Sequence, residues 1–175
     1  MLFDFQVSLP SRGKRVLRIY PEATGKESSP ENFAPLELHE WADKISVRTG
    51  NAEFELDAGQ LLPFSQITVA GRPVLDENAS RIVLIDEYER EWIPRVDNRA
   101  IEIQNPLRLV LAYEGAFISG TDVHGLRYTC RIHFFAGKSM IRIDFTLLNP
   151  HSACHSGGVW DLGDKGSLLF RALSV

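Results

Sequence analysis

Residues 127–148 leave the least freedom to the fold of this chain. Segments 127–136 and 139–148 flank Gly137-Lys138, and folding one back on the other satisfies two faces at once. On one face Phe134 opposes Ile141, Ile132 opposes Ile143, Cys130 opposes Phe145 and Tyr128 opposes Leu147. On the other, His133 meets Arg142, Arg131 meets Asp144 and Thr129 meets Thr146. Side chains alternate across a strand, so a slip of one residue would turn the whole apolar row toward water. The pattern predicts a long antiparallel hairpin with Arg131 and Asp144 paired across it, a contact worth ~0.2–1 kcal/mol. The inner row is expected to be core, and the outer row polar without evident chemistry.

A shorter hairpin obeys the same logic. Segments 44–49 and 52–57 meet across Gly50-Asn51, a pair suited to the tight turns whose twist matches antiparallel strands. Val47 then faces Phe54 and Ile45 faces Leu56, while Arg48 faces Glu53 and Lys44 faces Asp57. Further strands are expected at 2–9, 16–20, 65–70, 81–86, 100–104 and 107–113, with Ala70-Gly71 and Arg72-Pro73 marking a turn and 25–35 an exposed loop. No window carries a capped helical stripe. Short strands joined by turns predict an all-β fold, a single antiparallel β-barrel or barrel-like sandwich occupying residues 1–175.

Composition narrows the function classes. A net charge of −4 argues against a nucleic-acid partner, since phosphate binding needs a basic surface. No apolar run approaches the ~20 residues of a membrane-spanning helix, so no membrane partner is expected. Residues 1–6 lack the basic start and apolar run of a signal peptide, which makes the cytoplasm the default while the compartment stays open. Two cysteines, Cys130 and Cys154, are too few for a disulfide framework.

Several groupings could carry chemistry. The segment Gly157-Gly158-Val159-Trp160-Asp161-Leu162-Gly163-Asp164-Lys165-Gly166-Ser167 places four glycines, two aspartates and a tryptophan before a serine-containing end, the mark of a closely specified loop. His151, Cys154 and His155 could supply metal ligands if Asp161, or Asp122 with His124, closed the shell. Pro150 and the following glycines oppose the helix that such spacing needs, so a polar loop is preferred and no metal or cofactor is expected. Ser156 lacks the strand–turn–helix setting of a hydrolase nucleophile, and Asp161 with Asp164 is the available carboxylate pair. The run Asp86-Glu87-Tyr88-Glu89-Arg90-Glu91-Trp92 reads as a solvated strand end or loop. Tyr88 and Trp92 could expose aromatic faces there. Trp41, Trp92 and Trp160 each have the polar neighbours found around sugars, yet a tryptophan in a small β domain more often fills its core.

One family resemblance adds a setting. The carrying runs are Asn105-Pro106-Leu107-Arg108-Leu109-Val110, Tyr113-Glu114-Gly115, Tyr128-Thr129-Cys130-Arg131-Ile132-His133-Phe134-Phe135-Ala136-Gly137 and Ile141-Arg142-Ile143-Asp144-Phe145-Thr146-Leu147-Leu148-Asn149. A closing signature follows at His155-Ser156-Gly157-Gly158-Val159-Trp160-Asp161-Leu162-Gly163-Asp164, and 45–54 and 68–75 are also similar. Together they resemble the amino-terminal RIFT-barrel domain of exo-rhamnogalacturonan-lyase-like (PcRGLX-like) proteins. The likeness covers 43–175, with 1–42 as a divergent opening region. It implies a β domain beside a helical toroid that carries the lyase chemistry, so no catalytic residue transfers. It also implies a barrel incomplete at its amino terminus, hence an exposed sheet edge that a second subunit could cover.

Three functions follow as expectations. The first is a non-catalytic domain, structural or carbohydrate-contacting, whose ligand would be a pectic or other acidic oligosaccharide held by Trp160, Asp161, His155 and Asp164. The second is a stand-alone lyase of uronic-acid polysaccharide, with His151 or His155 as base and Arg142 or Arg131 stabilising the enolate. The third is an oligomerisation or interaction domain with Trp92 and Tyr88 at the contact.

Overall fold

The computed structural model describes residues 5–16, 34–61, 64–75, 81–152 and 166–175, and these contain strands and no helix. A five-stranded sheet comprises β1 (Glu37–Glu40), β2 (Lys44–Arg48), β3 (Ala52–Asp57), β4 (Gln66–Val69) and β5 (Arg72–Pro73), in that order across the sheet. The remaining strands are β6 (Val83–Asp86), β7 (Glu91–Gln104), β8 (Arg108–Ser119), β9 (Asp122–Phe135), β10 (Ile141–Leu148) and β11 (Phe170–Ser174). They form a six-stranded sheet ordered β10-β9-β8-β7-β6-β11. Every described pairing is antiparallel. The larger sheet carries bulges in its β7–β8 and β8–β9 pairings, and bulges add the local twist by which such a sheet curls into a half-barrel. The expected all-β fold is present.

Both hairpins have the expected register. β2 and β3 pair Val47 with Phe54 and Ile45 with Leu56. β9 and β10 pair Phe134 with Ile141, Ile132 with Ile143, Cys130 with Phe145 and Tyr128 with Leu147. Gly50 and Gly137 take positive φ values of 89° and 68°, which glycine adopts without Cβ strain. The polar face differs in detail. Arg131 opposes Asp144 but forks onto Glu102 at 2.7 and 2.8 Å, because a carboxylate on the far side of β8 is better placed for a two-pronged guanidinium contact. Asp144 instead accepts from Arg142 (2.8 Å) and lies 3.1 Å from His133 Nε2.

Other expectations shift. Residues 5–9 lie in no strand, and the remainder of the expected strands 2–9 and 16–20 is outside the described residues apart from Val16, also in no strand. The piece expected at 100–104 is the last part of β7, and that at 107–113 falls, apart from Leu107, in the first half of β8; both strands run much farther than those apolar patches suggested. β1 and β11 carry little alternation and are defined by their partners, β2 and β6.

The two sheets share one core. Ile45, Val47, Phe54 and Leu56 of the smaller sheet cluster with Leu109, Leu111, Tyr113, Ile132 and Phe134 of the larger, and the Phe54 and Phe134 rings meet edge-on at 5.3 Å. The hairpin turns are clasped together as well. Gly137 N donates to Thr49 O (2.6 Å), Thr49 Oγ1 donates to Lys138 O (2.5 Å), and Asn51 Nδ2 donates to Gly137 O (2.6 Å). Gly115 has no room for a side chain: a Cβ there would lie 1.9 Å from Arg95 O and 2.8 Å from the Tyr128 hydroxyl.

Candidate functional site

The most organised feature outside the core is the turn joining β6 to β7. Asp86 closes β6 and is 6% exposed. Its Oδ1 accepts the amides of Tyr88 and Arg90, both at 2.9 Å, and its Oδ2 accepts the Trp92 indole N–H at 2.8 Å. The backbone closes with it, Asp86 N donating to Arg90 O and Glu89 N to Asp86 O. Burial works against the charged carboxyl, but the indole and the two amides outweigh it, and the group sits below the ordinary carboxylate range. Glu89 is held at φ 66°, a left-handed conformation that a non-glycine residue keeps only where its surroundings impose it.

That framework fixes the backbone from which three side chains project. Tyr88 stands 82% exposed at the tip of the turn. The Arg90 guanidinium lies over the Trp92 ring at 4.5 Å, bonded to Ser119 O (2.9 Å) and to Asp122 (2.7 Å). Glu89 reaches Arg171 of β11. Across from the turn, His124 packs edge-on against Trp92 at 4.9 Å, and its Nδ1 accepts the Leu126 amide at 3.1 Å. Burial lowers the His124 pKa against the pull of Asp86, which favours the neutral imidazole with its proton on Nε2. These groups, with Gly125 and residues 167–169, line an open cleft of about 520 Å³.

The cleft contains Asp86, His124 and Ser167, but they do not form a nucleophilic relay. Both Asp86 oxygens are taken by the turn and the indole, and His124 Nδ1 is taken by Leu126. Asp86 is therefore not free to orient the imidazole as a relay would require. What remains is a cleft that presents an exposed phenol ring, a paired guanidinium, an imidazole edge and leucine side chains.

Trp92 is 7% exposed and belongs to the core cluster, which corrects its nomination as an open aromatic face or contact residue. The apolar indole is drawn inward because Asp86 meets its N–H there. The 86–92 run is a solvated strand end and turn over 87–91, as expected, with only its two ends, Asp86 and Trp92, buried. Trp41 is 55% exposed beside His39, with ring centres 6.0 Å apart. Trp160, Asp161, His155 and Asp164 lie outside the described residues, as does Cys154. His151 is described and exposed, its amide donating to Asn149 Oδ1. Asp122 turns to Arg90 rather than toward His151, and no set of three or more metal-ligating side chains comes together among the described residues.

The constellation nominated for lyase chemistry is not assembled where it is described. Arg131 is engaged by Glu102 and Arg142 by Asp144. His151 follows the far end of β10, ~20 Å along the strand from Arg142. Sequence reasoning missed Asp86, whose mark is an aspartate two and four residues before amides it can cap, hidden within a run of charges.

The fold defines a class: an antiparallel β-sandwich module, here with an open cleft at its β6–β7 turn. Residues 36–156 match the family model described as the PcRGLX-like protein central beta sandwich domain, and the chain belongs to that family. This description calls the domain a central sandwich, where the resemblance had suggested an amino-terminal barrel. No curated protein matches the chain.

Proposed function

We propose that this domain is a non-catalytic module of a PcRGLX-like, polysaccharide-lyase-related protein, and that it contacts carbohydrate at the Tyr88 cleft. The observation that supports this most is the turn that carries Tyr88: a buried carboxylate and a left-handed Glu89 fix the backbone from which an aromatic ring projects into solvent, in the same cleft as the Arg90 guanidinium. Preorganisation of that kind lowers the ordering cost of binding a weak, polar ligand such as a sugar. The apolar face of one sugar ring would stack on Tyr88, and Arg90 would donate to a hydroxyl or a carboxylate on the next. Asp86 and Glu87 in the same lining favour a neutral ring at the Tyr88 position. A pectic oligosaccharide offering neutral and acidic residues fits both demands.

Calorimetric titration of the chain with pectic oligosaccharides tests this. Binding that falls about tenfold or more in Tyr88→Ala, with the fold unchanged by circular dichroism, is the expected result. Equal binding by that variant would remove the cleft from the reading. Appearance of unsaturated-product absorbance during the incubation would overturn the non-catalytic assignment.

A further inference from the structure

The six-stranded sheet ends at β10, and among the described residues no strand lies on its outer side. The direction of its free backbone groups follows from β9. Ala136 N donates to Leu107 O, so the even-numbered residues at this end of β9 turn their amides and carbonyls toward β8, and the odd-numbered ones toward β10. His133 and Arg131 oppose Arg142 and Asp144, so these β10 residues bond inward. Ile141, Ile143, Phe145 and Leu147 therefore turn their backbone groups outward. The same four side chains form the core-facing row. Their neighbours Tyr128, Cys130, Ile132 and Phe134 on β9 are fully buried, whereas all four on β10 are only half-buried. Among the described residues, the core is open on one side along this edge and carries a row of outward donors and acceptors.

We propose that a second copy of this chain covers that edge, β10 pairing antiparallel with itself about a twofold axis through Ile143. Charge selects both the occupant and the register. Arg142 (68% exposed) and Asp144 (37% exposed) stand on the polar face two residues apart and pair with each other at 2.8 Å, so a partner's pair would join theirs in a four-charge cluster. A twofold axis at Ile143 sets Arg142 opposite the partner's Asp144, twice, and Ile141 opposite the partner's Phe145. An axis at Arg142 would oppose two arginines, and one at Asp144 two aspartates. An axis at Phe145 would leave Arg142 facing the apolar Leu148 of the partner subunit. Only the first register joins opposite charges, apolar rows and free backbone groups together. It forms about six backbone hydrogen bonds and continues the sheet across the dimer, closing the open flank of both cores. This inference is independent of the sugar cleft, which lies at the β6–β7 turn.

Light scattering of the full chain over a concentration series tests it. The wild type is expected to dimerise. Arg142→Asp, which opposes like charges at the axis, raises the dimer dissociation constant about tenfold or more, and the exchanged pair R142D/D144R restores it. Both side chains are on the polar face, and circular dichroism of each variant checks that the fold is unchanged. Hydrogen exchange gives an independent readout, with the amides of Ile141, Ile143 and Phe145 protected at high concentration and released on dilution. A monomer at every concentration refutes the proposal. A dimer indifferent to Arg142→Asp, or one not rescued by the exchange, refutes this register. Edge amides protected irrespective of concentration would mean that the chain covers its own edge, which also refutes it.

Discussion

Replacing Thr49 by Val tests the join between the two sheets with almost no change in shape. Thr49 is fully buried, and its single hydroxyl hydrogen goes to Lys138 O at 2.5 Å. The same oxygen accepts the Ala52 amide at 3.2 Å, while Thr49 O is already taken by Gly137 N. Valine therefore orphans the Ala52 N–H in a buried setting, at a cost of ~1–3 kcal/mol, and removes the bond to Lys138 O, worth ~0.5–1.5 kcal/mol. Lys138 is exposed, so water replaces part of the second loss. The expected sum is ~2–3 kcal/mol, or a fall of ~5–10 °C in Tm for a chain of this size. Urea unfolding followed by tryptophan fluorescence reads it, with the slope of the transition unchanged. A shift below ~0.5 kcal/mol would mean that the turns at 50–51 and 137–138 are not clasped, leaving the shared apolar core alone to join the sheets.

The acid side of the stability profile should depend on Asp86. Its pKa is depressed on folding, so its contribution is complete above the unfolded value of 3.8 and is lost as pH falls through the lower folded value. Urea midpoints measured below pH 4 should decline less steeply in Asp86→Asn, and an identical slope would contradict the bonding described for that carboxylate. Cys130 is a free thiol, 1% exposed, and burial pushes its pKa up to about 12. Mass spectrometry of the Cys130 peptide should find no alkylation in the native chain and complete alkylation in urea. Labelling of the native protein at the rate of a free thiol would place Cys130 outside the core.

Both hairpins were legible because a half-buried antiparallel strand writes its register into alternation. Val47 with Phe54, and Ile132 with Ile143, follow from period two and a two-residue turn alone. β1 and β11 were not legible, since neither Glu37–Glu40 nor Phe170–Ser174 carries an apolar stripe of its own. They are strands because β2 and β6 offer unpaired edges. The candidate site was half legible. Tyr88 and Trp92 were nominated together as possible aromatic faces, but the sequence could not say that one faces solvent and the other the core.

Local pairing was thus settled by sequence, because it depends on neighbours only a turn away. Tertiary structure decided whatever depended on partners far along the chain. Arg131 left Asp144 for Glu102, 29 residues distant, because a forked contact on the next strand but one outcompeted its cross-strand neighbour. Thr49 found Lys138, 89 residues on, when the two sheets stacked. Asp86 turned from a surface charge into the buried centre of a turn when Trp92 packed inward and brought its indole N–H to the carboxylate. Periodicity records which face a residue takes; only packing determines what it meets there.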